Sequence, residues 1–375
     1  MRTVIDGHND LAHVIRQHAG GDPAAYGVAK GAPGHTDLDR LRRGGVGAQF
    51  WAAFVPCELA GSATVPPRGA ARHALEQIEV IRRLEACLPD GLIPAWSAAE
   101  VQAAAERGRI ASLIGVEGGH ALEDSLAVLR TFRALGARYL TLTHNCTIRW
   151  ADSATDDAVH GGLTPFGREV VRELNRLGML VDLSHTSPDV MRDALEVTEA
   201  PVAFTHSSAR ALTDHPRNVP DDVLEAVREN GGVVMVTWVP RFVSEAVRTR
   251  EGAEEDGPPA TLSDVADHMD HVRTVAGAAH VGIGGDLDGT SWLPEGLEDA
   301  SAYPALLEEL AARGWSDEER NAAAAGNVLR VMRTAEEVGE RLRRERPPSG
   351  ATIEELDGPG THAAGSDEPF RRGAR

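Results

Sequence analysis

The sequence predicts an α/β fold, a (β/α)8 TIM barrel. Three observations carry this. Eight short apolar runs bounded by turn residues read as buried parallel strands: Val4–Asp10, Val46–Val55, Ala111–Glu117, Arg138–His144, Met179–His185, Pro201–His206, Gly232–Trp238 and His280–Asp286. Helix-patterned segments fill most of the intervals between them. Six of the eight runs end in His, Asp or Glu, and in this barrel the strand ends and their loops line one mouth where catalytic groups sit. A lone histidine is commonly a satisfied interior residue, but six converging polar ends do not fit that reading.

In chain order, Leu11 to His18 suits a short helix after the first strand, and Gly20 to Gly34 is a Gly/Ala/Pro loop. Helical patterns follow at 70–88, 98–107, 122–135, 164–177, 187–197, 221–230, 261–276 and 303–313. Thr164-Pro165 and Ser187-Pro188 each place a capping hydroxyl before a proline at the first helical position. Arg241 to Pro259 lacks periodicity and reads as a loop after the seventh strand, of the kind that covers a barrel mouth. Ser316 to Arg344 reads as a long closing helix packed on the barrel exterior. The expected organisation is one catalytic domain over 1–345 and a polar, weakly ordered tail over 346–375.

Composition narrows the function classes. A formal charge of −19 disfavours nucleic acid and anionic membrane surfaces as partners. No apolar stretch approaches the ~18–20 residues of a membrane span. The first strand begins almost at the N-terminus, leaving no room for a signal peptide, so a cytoplasmic location is expected. Cys57, Cys87 and Cys146 are too few and scattered for a disulfide framework and read as reduced, buried thiols. Lys30 is the only lysine and lies in the Gly/Pro loop, so a carboxylated lysine cannot bridge two metals; Asp or Glu must.

The strand ends carry the chemistry. His8 and Asp10 are one residue apart, and alternate residues of a strand share a face, so both reach one cation. His185 and His206 end successive strands, which lie ~4.8 Å apart, and so share a second cation. Glu117 is a carboxylate at a buried strand terminus that needs a partner, and bridges the two. Imidazole with carboxylate suits zinc better than magnesium or calcium. Asp286, preferred over Asp288 because it sits nearer the strand end, is placed to move a proton from metal-activated water to a leaving amine. His144 is placed to donate to an oxyanion or to hold substrate.

These residues, in order, resemble the membrane (renal) dipeptidase family of zinc peptidases. The resemblance rests on Asp6-Gly-His-Asn-Asp10, Gly115-Val-Glu-Gly-Gly-His120, Tyr139-Leu-Thr-Leu-Thr-His144, Trp150-Ala-Asp152, Asp182-Leu-Ser-His185, Thr205-His-Ser-Ser-Ala-Arg210, His215-Pro-Arg-Asn218 and His280-Val-Gly-Ile-Gly-Gly-Asp286. It implies a barrel of the metal-dependent amidohydrolase type that cleaves dipeptides with two Zn2+ ions: His8 and Asp10 on one, His185 and His206 on the other, Glu117 bridging. It further implies that Arg217, eleven residues after His206, binds the substrate carboxylate, for which a guanidinium is well shaped. His144 matches the substrate-contacting histidine and Asp286 the acid/base aspartate. The implied reaction is attack by a metal-bridging hydroxide, with tolerance for a C-terminal D-residue. A soluble bacterial-type member is expected, with homodimers common in the family. Ala12 and Arg149 depart from the family pattern, and Arg149 and the 241–259 loop are expected to shape substrate preference. The alternative enzyme reading is a binuclear hydrolase of lactams, lactones or phosphoesters. A non-catalytic metal-binding scaffold is the alternative outside catalysis.

Overall fold

In a computed structural model, which describes residues 3–250 and 257–358, all eight apolar runs become barrel strands. They are β1 (Val4–Asp6), β2 (Val46–Phe54), β4 (Ile110–Glu117), β5 (Ala137–Thr141), β6 (Leu180–Asp182), β7 (Ala203–Phe204), β8 (Val233–Val236) and β9 (Val281–Ile283). The order β2-β1-β9-β8-β7-β6-β5-β4 is closed by parallel pairing of β2 with β4, from Ala48↔Ala111 to Phe54↔Glu117. One further strand, β3 (Leu92–Pro94), pairs with the start of β4 outside the ring; three residues show too little periodicity to announce it.

Alternation along the strands divides the core in two. On β2, Ala48 and Phe50 join an inner cluster with Ile5, Leu113, Tyr139 and Met235. Trp51 and Ala53 face outward into the helix layer. The predicted caps form: Thr164 accepts from Gly167 N–H and Ser187 from Val190 N–H, each with proline at the first helical position.

The closing segment differs from expectation. It is a helix over Asp317–Asn321, a π-turn over Ala322–Gly326 and a helix over Asn327–Glu345. Its Val328, Val331, Met332 and Ala335 join the inner cluster beside the starting residues Ala111, Leu180 and Val233. It therefore plugs one end of the barrel, and the site must open at the other. Part of the segment expected to be weakly ordered packs on the barrel. A short helix, Ile353–Asp357, buries Ile353 and caps the Pro165–Leu177 helix through Asp357, which accepts from Phe166 N–H at 2.9 Å. Residues 359–375 of the expected tail, and 251–256 of the expected 241–259 loop, lie outside the described residues. Among the described residues, no helix is long and apolar enough to cross a membrane.

Two further expectations are corrected. Cys57 and Cys146, read as reduced thiols, form a disulfide between the loops after β2 and β5, and Cys87 is exposed rather than buried. Their separation of 89 residues hides the pairing from any local pattern. Arg149, expected to shape substrate preference, is 7% exposed and bonds Asp124 at 2.6 Å, with Glu354 at 3.7 Å. It ties the β5 loop to the loop after β4 and to the C-terminal helix.

Candidate metal centre

The ends of the strands place His8, Asp10, Glu117, His144, His185, His206, Arg217 and Asp286 around one mouth. A cavity of about 340 Å³ is lined by all of them except His8 and His206, which lie beneath it fully buried. Glycine opens the way for His8: a Cβ on Gly7 would lie 2.4 Å from the Thr205 carbonyl oxygen, so only glycine lets the β1 end turn so far inward.

Each imidazole is oriented through Nδ1. His185 Nδ1 is 3.0 Å from Asn145 Oδ1, an acceptor, so Nδ1 carries the proton and Nε2 the lone pair. Thr205 Oγ1 donates to Asp182 Oδ2 at 2.7 Å and therefore accepts from His206 Nδ1 at 2.9 Å, which again leaves a lone pair on Nε2. His8 Nδ1 meets Tyr139 Oη at 2.9 Å, and Gly115 leaves room for that ring, since a Cβ there would lie 1.8 Å from it. Such orienting partners are the usual support of metal-binding histidines.

The three Nε2 atoms converge on carboxylates. His8 Nε2 lies 3.3 Å from Asp10 and 3.4 Å from Glu117 Oε2; Glu117 Oε1 lies 3.1 Å from His185 Nε2 and 3.4 Å from His206 Nε2. His185 and His206 Nε2 face each other at 3.0 Å. Two buried lone pairs pointing at one another and at a carboxylate repel unless a cation lies between them, and His8 Nε2 is buried without a hydrogen-bond partner. The donor set fits metal. Among the described residues, ligand atoms lie within 4.8 Å of one another in three groups: His8, Asp10, Asp286; His8, Glu117, His206; and Glu117, His144, His185.

Electrostatics agree. Burial opposes a charge on His8, but Tyr139, Glu117 and Asp10 outweigh it, and its affinity for a proton stands well above the usual value. Burial alone would raise the Glu117 carboxyl, yet the neighbouring His8 charge holds it well below the carboxylate range. His185 and His206 are kept neutral by burial first, then by the charges of Arg217 and His8 respectively. The cluster thus presents two neutral imidazoles and carboxylates that attract positive charge.

Around it stand the groups expected to handle substrate. Burial raises the Asp286 carboxyl to about 7, with Asp10 and Glu117 adding to the rise and His8 and Arg217 opposing it. Asp286 and His185 take left-handed backbone, φ 57° and 68°, a strain that tends to collect at functional positions. Asp288, the competing choice, lines the same cavity but is tied to a loop distant in sequence: its Oδ1 accepts from His35 N–H at 2.6 Å. Arg217 is 1% exposed, lies 5.3 Å over Phe242 and makes only long contacts, 3.5 Å to Ser207 Oγ and 3.4 Å to the His206 carbonyl. Its Nε has no partner, and burial lowers its pKa to about 10, so it remains a cation with unused donors. The His144 ring is 4.5 Å from that of His185 and 4.8 Å from that of Phe54. The sequence assigns no role to Tyr139, Asn145, Thr205 or Phe242, although Tyr139 and Thr205 open two of the family-like motifs; adjacency to His144 is the one signal for Asn145.

Fold and site define a metal-dependent hydrolase built on a (β/α)8 barrel. The family profile described as Membrane dipeptidase (Peptidase family M19) matches residues 1–346, and the chain belongs to this family of metallo-dipeptidases. Dipeptidase 3 of Mus musculus is 45% identical over 349 residues, covering 92% of this chain and 66% of that protein. Dipeptidase 3 of Homo sapiens is 46% identical over 349 residues, covering 92% and 67%. The chain thus spans about two thirds of the length of these curated relatives. A solved metallo peptidase from Rhodobacter sphaeroides, liganded with a phosphinate mimic of the dipeptide L-Ala-D-Ala, is similar with TM-score 0.76 and 27% identity, covering 89% of this chain and 99% of that one.

Proposed function

We propose that this protein hydrolyses the peptide bond of dipeptides, with two zinc ions held by His8 and Asp10, by His185 and His206, and between them by Glu117. The observation that carries the reading is the pairing of two features in one small cavity: buried Nε2 lone pairs facing Glu117, and a buried Arg217 with unused donors. When bound, the ions supply Lewis acidity, polarising the scissile carbonyl and lowering the pKa of water enough for hydroxide attack at neutral pH.

The chain's own groups account for the rest. Arg217 receives the C-terminal carboxylate as a charge-assisted, bidentate pair, which selects dipeptides over longer chains. A neutral His144, its pKa lowered by burial first and by Arg217 next, keeps an N–H to donate to the developing oxyanion. Asp286, poised near neutrality, takes the proton of the attacking water and delivers it to the departing amine. The Rhodobacter sphaeroides peptidase with its L-Ala-D-Ala mimic supports acceptance of a C-terminal D-residue here.

The test is turnover of L,L- and L,D-dipeptides by enzyme stripped of metal and reconstituted with zinc, with free and blocked carboxylates. Cleavage that needs zinc and a free carboxylate supports the reading. Cleavage of lactams, lactones or phosphoesters in place of dipeptides would overturn it.

A further inference from the structure

A second cavity, about 710 Å³, adjoins the first and shares His13, Phe54, His144 and Asn145 with it. It lies between the loop after β2 and the Leu11–Ala19 and Ala70–Cys87 helices, which contribute Glu58, Arg16 and His73 respectively. Its position in the ring is informative. Arg217 follows β7, and β2 is four strands from β7 in either direction around the eight-stranded barrel. The two features therefore stand on opposite sides of the ligand cluster. A dipeptide with its carboxylate on Arg217 and its scissile carbonyl at the cluster points its N-terminal residue at the second cavity.

Nitrogen-bearing side chains line the wall there: His13, Arg16 and His73. Arg16 Nη2 pairs with the half-exposed Glu76, and the Arg16 side chain keeps 32% of its surface open. Behind the wall Gln77 Nε2 lies 3.4 Å from Nδ1 of His13, which lines both cavities. Glu58, the carboxylate on this lining, is exposed to solvent, whereas the Arg16 side chain is only 32% exposed. The enclosed wall therefore offers a cation and donors, and its negative charge sits in water, where it is screened.

We propose that this cavity is the subsite for the side chain of the dipeptide's N-terminal residue, that it favours an acidic side chain, and that Arg16 is the specificity-determining residue. The proposal rests on the dipeptidase reading above. A partly enclosed guanidinium whose ion pair occupies one nitrogen can take a second carboxylate, and the gain falls on binding because Arg16 lines the second cavity and not the first.

The experiment measures kcat and KM of zinc-loaded wild type, Arg16→Gln and Arg16→Glu on L-Glu-L-Ala, L-Ala-L-Ala and L-Lys-L-Ala. Wild type is expected to favour the glutamyl over the lysyl substrate by about tenfold in kcat/KM, at the low end for a charge-assisted hydrogen bond because the site is partly wet. Arg16→Gln should remove the preference through KM while leaving L-Ala-L-Ala unchanged, and Arg16→Glu should invert it. Equal turnover of the three by wild type, or an equal loss on all three in Arg16→Gln, would overturn the subsite while leaving dipeptidase activity standing. No cleavage of any of them would overturn both.

Discussion

Arg217→Met tests the carboxylate-binding reading most directly. The guanidinium is 1% exposed, its two hydrogen bonds are long at 3.4 and 3.5 Å, and Nε is unpartnered, so most of its hydrogen-bonding capacity is free for substrate. Two charge-assisted bonds at ~1.5–3 kcal/mol each amount to ~3–5 kcal/mol once imperfect geometry is allowed for. At ~1.4 kcal/mol per tenfold, this is a loss of roughly 10²–10³ in kcat/KM, carried mainly by KM. Methionine keeps the volume and the contact with Phe242, so zinc content should not change. Thermal stability should hold or rise, since an unpaired buried charge is removed. The assay compares a dipeptide with its C-terminal amide in both enzymes. Wild type should lose two to three orders of magnitude on the amide; the variant should lose as much on the free acid and little more on the amide. A variant with unchanged KM, or with an equal further loss on the amide, refutes the reasoning.

Other predictions follow from the same geometry. Asp286→Asn should lower kcat by about 10²–10⁴ with zinc content intact, checked by metal analysis beside steady-state kinetics; retained turnover removes it from proton transfer. Closing an 89-residue loop, the Cys57–Cys146 disulfide should contribute ~4.6 kcal/mol. Reductant should therefore lower the Tm of wild type but not of Cys57→Ser, and mass analysis of alkylated protein from cells would report whether its compartment keeps the pair oxidised. His268 is pulled from 6.5 to about 4 by burial, so between those values the unfolded chain binds the extra proton. Stability linked to it is present above pH 6.5 and lost as pH falls toward 4, by ~3 kcal/mol at most. Denaturant titrations of wild type and His268→Gln should differ in slope across that window and run parallel above it.

What the sequence determined by itself is the periodic part of the molecule. Strand and helix periods are local, so the eight runs, the Thr164 and Ser187 caps and the polar strand ends could be read along the chain, and with them the candidate residues from His8 to Asp286. Barrel topology then brings such ends together at one mouth, which is why residues so far apart in number could be grouped. The tertiary structure alone decided what depends on approach between distant segments or on space. Tyr139 reaches His8 across 131 residues because Gly115 leaves room for its ring. Asp182 fixes the tautomer of His206 through Thr205, and Cys57 finds Cys146 where two loops meet. Arg149, expected to shape substrate preference, is instead claimed by Asp124 and a C-terminal segment that composition marked as weakly ordered. Charge and composition report what a residue is able to bind; which partner it meets is settled only when burial excludes water and leaves a single neighbour within reach.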